Sequence, residues 1–165
     1  GRVKLMNAYG TRDSGMRMPF YLEYRKGNGW VTNTDDSCTV LTGAHVAPGN
    51  PTTANADSSG ITLAAAATVS PTRSGAGSVF LARPSGVGWL NVALNLAGTV
   101  AVPDQSCMTK TAAGGGAGLT YLRYGSPSDR RWSCPTGLGG SDPWARATFG
   151  AARNAGQTIY QRENY

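Results

Sequence analysis

His45 is the only histidine in the chain, so any imidazole-based proton relay or metal site would have to be built around it. Cys38 is the nearest thiol in sequence. A thiolate beside an imidazole base is the pairing of a cysteine nucleophile, and Cys38 with His45 is the one such pairing to consider. No carboxylate or further cysteine stands at ligand or triad spacing from His45, which therefore reads as a surface or capping histidine. The Asp35-Asp36 pair just before Cys38 offers oxygen ligands, but calcium wants six or more. The pair reads instead as an Asx-type turn that positions Cys38. The nine acidic residues are scattered, without the paired carboxylates of a glycosidase. We expect no enzyme, no metal and no cofactor.

The three cysteines, Cys38, Cys107 and Cys134, include no CxxC pair, so structural zinc spacing is absent. Their arithmetic is one disulfide and one odd thiol, with three pairings open. A Cys107–Cys134 bridge would contribute roughly 3 to 4 kcal/mol in the chain-entropy model. Four tryptophans remain as candidates for stacking on sugar rings. Trp30 and Trp89 sit inside strand-like runs and are expected in the core. Trp132 and Trp144 fall in a long irregular stretch and are the candidate ligand-binding aromatics.

Whatever positions these side chains is built from strands. Phe20, Leu22 and Tyr24 alternate with Tyr21, Glu23 and Arg25, the period of a strand with one buried face. Lys26-Gly27-Asn28-Gly29 is a hairpin turn, and Trp30-Val31-Thr32 is the returning arm. Residues 16–38 form the best-defined unit. Residues 2–7 read as a first strand, followed by a loop from Tyr9-Gly10. Residues 39–41 read as a short strand and 43–60 as a loop. Residues 61–69, ITLAAAATV, weigh alanine helix propensity against Ile, Thr and Val, and flanking Gly60 and Pro71 favour a strand. Strands are expected at 78–82, 88–96 and 119–124, and a last hairpin at 145–150 with 158–162. Residues 112–118, AAGGGAG, are expected to be flexible. Residues 126–143 read as a long loop tied down by Cys134.

The chain has 165 residues, 15% of them charged, and 23 glycines, about twice the usual glycine share. These values suit one secreted β-domain, residues 1–165, and we expect an immunoglobulin-like β-sandwich with long loops. The net charge of +6 is spread along the chain without a basic helix or RNA-binding signature, so nucleic acid is not an expected partner. No apolar run nears the roughly 20 residues of a membrane helix. The chain opens on Gly1-Arg2-Val3 with no signal peptide, so an exported protein of this kind would be a mature or cleaved piece of something longer.

Both ends carry a recognisable pattern. Gly1-Arg2-Val3-Lys4-Leu5-x-Asn7-Ala8-Tyr9-Gly10, Glu23-Tyr24 through Gly29-Trp30-Val31-Thr32-Asn33, and Asp36-Ser37-Cys38-Thr39 resemble the C-terminal part of MshQ-like proteins. So do Asp142-Pro143-x-Ala145-Arg146-Ala147-Thr148-Phe149-Gly150 and Ile159-Tyr160 through Arg162-Glu163-x-Tyr165. The resemblance implies a large secreted bacterial surface protein encoded beside genes for mannose-sensitive haemagglutinin type IV pili. It brings no catalytic residues. Its implied function is an extracellular structural or adhesive module of a surface appendage, a fibre, fimbrial or pilus subunit. Self-association or other pilus subunits are the implied partners. A carbohydrate-binding module using loop aromatics is the alternative, with a glycan as partner. Relatives tend to carry an Asp-rich segment of the DWDGDG kind where this chain has residues 125–134, GSPSDRRWSC. Two arginines there argue against calcium. With the resemblance in place, Cys107–Cys134 is the expected covalent replacement for such a tie, leaving Cys38 free or intermolecular.

Overall fold

The computed structural model describes residues 1–49, 58–96, 116–123 and 142–151. Nine strands run through them: β1 Arg2–Leu5, β2 Ala8–Thr11, β3 Met16–Lys26, β4 Gly29–Thr32, β5 Val46–Pro48, β6 Thr68–Val69, β7 Ala76–Leu81, β8 Gly88–Leu94 and β9 Trp144–Gly150. Two short 3-10 turns, Gly43–His45 and Thr120–Leu122, accompany them. One sheet has the order β1-β3-β7-β6, with β4 also paired to β3. The other has the order β2-β9-β8-β5.

This is the expected immunoglobulin-like sandwich. The first sheet reproduces the A-B-E-D order and the second the C-F-G order of such domains. The first strand is divided between them: β1 pairs antiparallel with β3, and β2 crosses over to run parallel to β9. Every other strand pairing is antiparallel. Met18, Phe20, Leu22 and Val79 of the first sheet face Leu90, Val92, Leu94, Ala147 and Phe149 of the second, all nearly or wholly excluded from solvent. These residues belong to one core cluster, so the period-two pattern of β3, β8 and β9 is what joins the layers.

The hairpin of residues 16–32 is as expected. Lys26 pairs with Gly29 across a two-residue loop. Gly27 has φ +58, while Asn28 is not among the positive-φ residues. Glycine at the first central position is the requirement of a type II′ turn. The alternation fails at its far end, however. Glu23 is buried and Tyr24 is 41% exposed. Arg2 and Lys4 lie over the Glu23 carboxylate, at 2.6 and 3.8 Å. A carboxylate can be covered there because two cations stay with it. Tyr24 lies past the last β3–β7 pair, Tyr21–Ala76, on the arm that pairs with β4.

Other expectations are corrected. Residues 61–69 are not one strand: only Thr68–Val69 joins a sheet, with a single bridge from Leu63 to Pro84. Ala64, Ala65 and Ala66 are exposed, because their small side chains gain little by burial. Residues 39–41 form no strand. Residues 119–123 hold a 3-10 turn that buries Leu122 and leaves Tyr121 67% exposed. Residues 43–49, expected as loop, contain the Gly43–His45 turn and β5. Tyr9-Gly10 lies within β2 rather than in a loop. The expected strand at 158–162, most of the 112–118 segment and nearly all of the 126–143 loop lie outside the described residues.

Candidate functional site

The first-named chemistry resolves into local structure. His45 Nδ1 accepts the Thr42 N–H at 3.2 Å, and the His45 N–H donates to the Thr42 carbonyl at 3.0 Å. The imidazole thus closes the turn before β5 as a capping group, and partial burial pushes its pKa below the usual histidine value. The Cys38 thiol points instead to Asp36 Oδ1, at 3.8 Å. Asp36 Oδ1 also accepts the backbone N–H groups of Cys38 and Thr39 at 3.1 and 3.0 Å, and Oδ2 accepts the Thr39 hydroxyl at 2.7 Å. Burial works to raise the Asp36 pKa. The bonds from Thr39 and Cys38 outweigh it and hold the carboxyl below its ordinary 3.8. This is the Asx-type corner read from the sequence. Gly75 fastens it to the sheet, donating its N–H to the Asp36 carbonyl at 2.7 Å and accepting from Leu22 N–H at 2.8 Å.

Cys38 is a free, exposed thiol. Cys107, Cys134 and Trp132 lie outside the described residues. Trp144 is the first residue of β9 rather than a loop residue. It is half-buried and packs on Ala47 and Ala93.

Trp30 and Trp89 are not in the core. Alternation on β8 sends Leu90, Val92 and Leu94 inward, so Trp89, Asn91 and Ala93 point away from the opposite sheet. On β9, Ala145, Ala147 and Phe149 are buried, so Trp144, Arg146 and Thr148 share that outer face. On β2, Ala8 is buried and Tyr9 is 79% exposed. The registers set Tyr9, Thr148 and Trp89 in one row across three strands, with Arg146 paired to Asn91 in the next. The Arg146 guanidinium lies 4.0 Å from the Trp89 ring centroid. Its Nε donates to Asn91 Oδ1 at 3.0 Å, and its backbone N–H to Asn7 Oδ1 at 2.9 Å. Ser59 binds both backbone groups of Trp89: its N–H and hydroxyl donate to the carbonyl at 2.8 and 3.1 Å, and its Oγ accepts the Trp89 N–H at 2.8 Å. The result is an oriented cation on an aromatic ring, beside an exposed phenol. On the other sheet, Arg2 lies over Trp30 and Arg17 over Phe80, each at 4.3 Å.

A second feature is a cleft of about 280 Å³ bordered by Gly43, Val46, Ile61, Leu63, Ala67 and Leu90. Its lining is mostly aliphatic, with Thr62 as the one hydroxyl side chain, and holds no acid or base. A third is the buried pair of Arg123 and Asp142, with Nε to Oδ1 at 2.8 Å and Nη2 to Oδ2 at 3.2 Å. Asp142 is fully buried and also accepts the Leu96 N–H at 3.0 Å. It ties the Thr120–Leu122 turn, through its C-cap Arg123, to Leu96 beyond β8 and to the start of β9. Among the described residues no three of His, Cys, Asp and Glu gather as metal ligands. No helix among them is long and apolar enough to cross a membrane.

The family model for DUF6701, fourth domain, matches residues 1–164. The chain belongs to that family. No curated protein and no solved structure matches it. Within this DUF6701 domain, the outer face of β2, β9 and β8 combines a cation–aromatic stack with an exposed phenol. Sequence reasoning missed it by assigning strand tryptophans to the core. The signal was present, because the alternation that buries Leu90 and Val92 excludes Trp89 from the same face.

Proposed function

We propose that this domain is an extracellular structural and adhesive module of a bacterial surface protein of the MshQ-like kind, part of a surface appendage such as a pilus or fibre. The observation that carries the reading is the parallel pairing of β2 with β9. Strands from opposite ends of the fold lie side by side, so tension between the start of β2 and the end of β9 loads their hydrogen bonds together. A domain serving as a link in a chain under load needs that property. The family-type residues at both ends, from Gly1 to Gly10 and from Asp142 to Gly150, support the MshQ-like assignment. Among the described residues β1 and β2 are edge strands, which offer backbone groups for pairing with a neighbouring copy or another subunit, and exposed Cys38 is placed for an intermolecular disulfide.

Antibody raised against the domain tests this on intact cells of the bacterium that encodes it, with electron microscopy of the labelled surface. Labelling of appendages or of the outer surface is expected. Labelling only after lysis would overturn the reading. Concentrated protein that stays monomeric and forms no filaments would remove the fibre version alone.

The alternative is a carbohydrate-binding module. The exposed Tyr9 beside the Arg146–Trp89 stack favours it, in place of the loop aromatics expected from the sequence.

A further inference from the structure

We propose that the outer face of β2, β9 and β8 binds acidic saccharides, with Arg146 reading a uronate-type carboxylate and Tyr9 stacking on the sugar ring. This rests on the carbohydrate-binding reading and narrows its ligand class.

Three features of Arg146 carry the argument. Its Nε is engaged with Asn91 Oδ1 and its Cζ lies over the Trp89 ring, 4.0 Å from the centroid, so the guanidinium is held at two points. Holding it there removes entropy cost from ligand binding. Its terminal Nη groups have no hydrogen-bond or ion-pair partner among the described residues, and the residue is exposed. Those two groups are the donors that take a carboxylate side by side. By contrast, Arg2 and Arg123 spend their charge on Glu23 and Asp142.

The supports are built into the fold. Asn91 is 3% exposed, and Ser59 fixes the Trp89 backbone on both its N–H and its carbonyl.

Tyr9 supplies the second contact. It pairs with Thr148 in register, and Arg146 is two residues from Thr148 on the same strand and face. Strand spacing and rise put the Tyr9 and Arg146 Cα atoms roughly 8 Å apart. That span suits one sugar ring stacked on the phenol with its carboxylate at the guanidinium. A neutral sugar would use Tyr9 but leave the guanidinium without an anion. A free phosphate or sulfate ion would use Arg146 but not the stacking ring. A carboxylated pyranose uses both.

The test is titration calorimetry of the whole domain with an oligogalacturonate, a neutral maltooligosaccharide of the same length and a dextran sulfate oligomer, at physiological salt. The variants are R146A, R146K and Y9A, with R17A as a control. R17A removes the same charge from the opposite outer face, where Arg17 lies over Phe80. Thermal melts confirm that each variant folds. The expected result is binding of oligogalacturonate above the other two. R146A should weaken it by about tenfold to a hundredfold. R146K should restore only part, since a lysine keeps the charge but not the fork. Y9A should weaken it and R17A should leave it unchanged. Equal losses in R146A and R17A, or stronger binding of dextran sulfate, would show general charge attraction and overturn the proposal. Equal binding of the neutral oligosaccharide, unaffected by R146A, would overturn it while leaving the carbohydrate-binding reading intact. Absence of binding to any saccharide would overturn both and leave the structural module.

Discussion

His45 shows how a lone titratable residue acts when it has a structural partner rather than a catalytic one. Its Nδ1 accepts the Thr42 N–H, a bond available to neutral imidazole, and burial lowers its pKa from 6.5. In the window between the ordinary value and the lowered one, the unfolded chain binds more protons than the folded one. Stability therefore falls as pH drops through that window. The melting temperature should decrease from pH 7.5 to pH 5.5, and H45Q should flatten that dependence. A wild-type profile that rises toward pH 5.5 would contradict the assignment. Asp36 acts in the same direction lower on the scale: its depressed pKa gives stability above 3.8 that is lost as pH falls through the folded value. The heavier single-residue contribution lies at Asp142. Removing the carboxylate strands Arg123 and the Leu96 N–H, so D142A should cost about 3 to 5 kcal/mol in denaturant unfolding. Replacing both partners, as in R123M with D142L, should recover a large part of that loss, because no charge is then left buried alone. Cys38 makes a simpler prediction: peptide mapping after alkylation of the native protein should find the label on it, since the thiol is exposed.

At the level of elements, the legible parts of the sequence were those where period and turn chemistry agreed. Phe20 and Leu22 alternate up to a Gly-Asn turn, and β3–β4 followed. Leu90, Val92 and Leu94 alternate, and β8 followed. The illegible parts had a pattern without volume behind it. Residues 64–66 are apolar by type, yet alanines bury too little surface to hold a strand on a core. The switch between β1 and β2 at Met6-Asn7 was invisible for a different reason: nothing local states that the chain leaves one sheet for the other. Glu23 was misplaced because its cover comes from Arg2 and Lys4, far away in sequence. The candidate site was half legible, its tryptophans noted and its faces misassigned. Packing between elements also sets a fixed requirement at Gly77. It pairs with Phe20, and a Cβ there would run into the Phe20 ring. G77A should lower stability by roughly 1 to 3 kcal/mol through overpacking. Trimming the ring in the G77A, F20L double variant should then cost less than F20L costs in the wild type. Additive losses would show that the ring does not rest on the glycine.

For the whole molecule, the decisive feature is that one strand segment serves each sheet. β1 closes the first sheet against β3, and β2 closes the second against β9 in the same direction as β9. The consequence is mechanical and directional. The register runs from Ala8 with Ala147 to Thr11 with Gly150, so the start of β2 and the end of β9 lie at opposite ends of the ladder. Handles on Asn7 and Ala151 would pull the two strands past each other, and all four register pairs would resist at once. Handles on Asp13 and Ala151 would pull from the same end of the ladder, opening it one pair at a time from Thr11 and Gly150. Single-molecule pulling should therefore give a higher unfolding force with the first attachment than with the second, at equal loading rate and with the same equilibrium stability. A module loaded along the first axis requires that ordering. Equal forces in the two geometries would show that β2 and β9 do not form the mechanical clamp, and would withdraw the physical argument for the structural role.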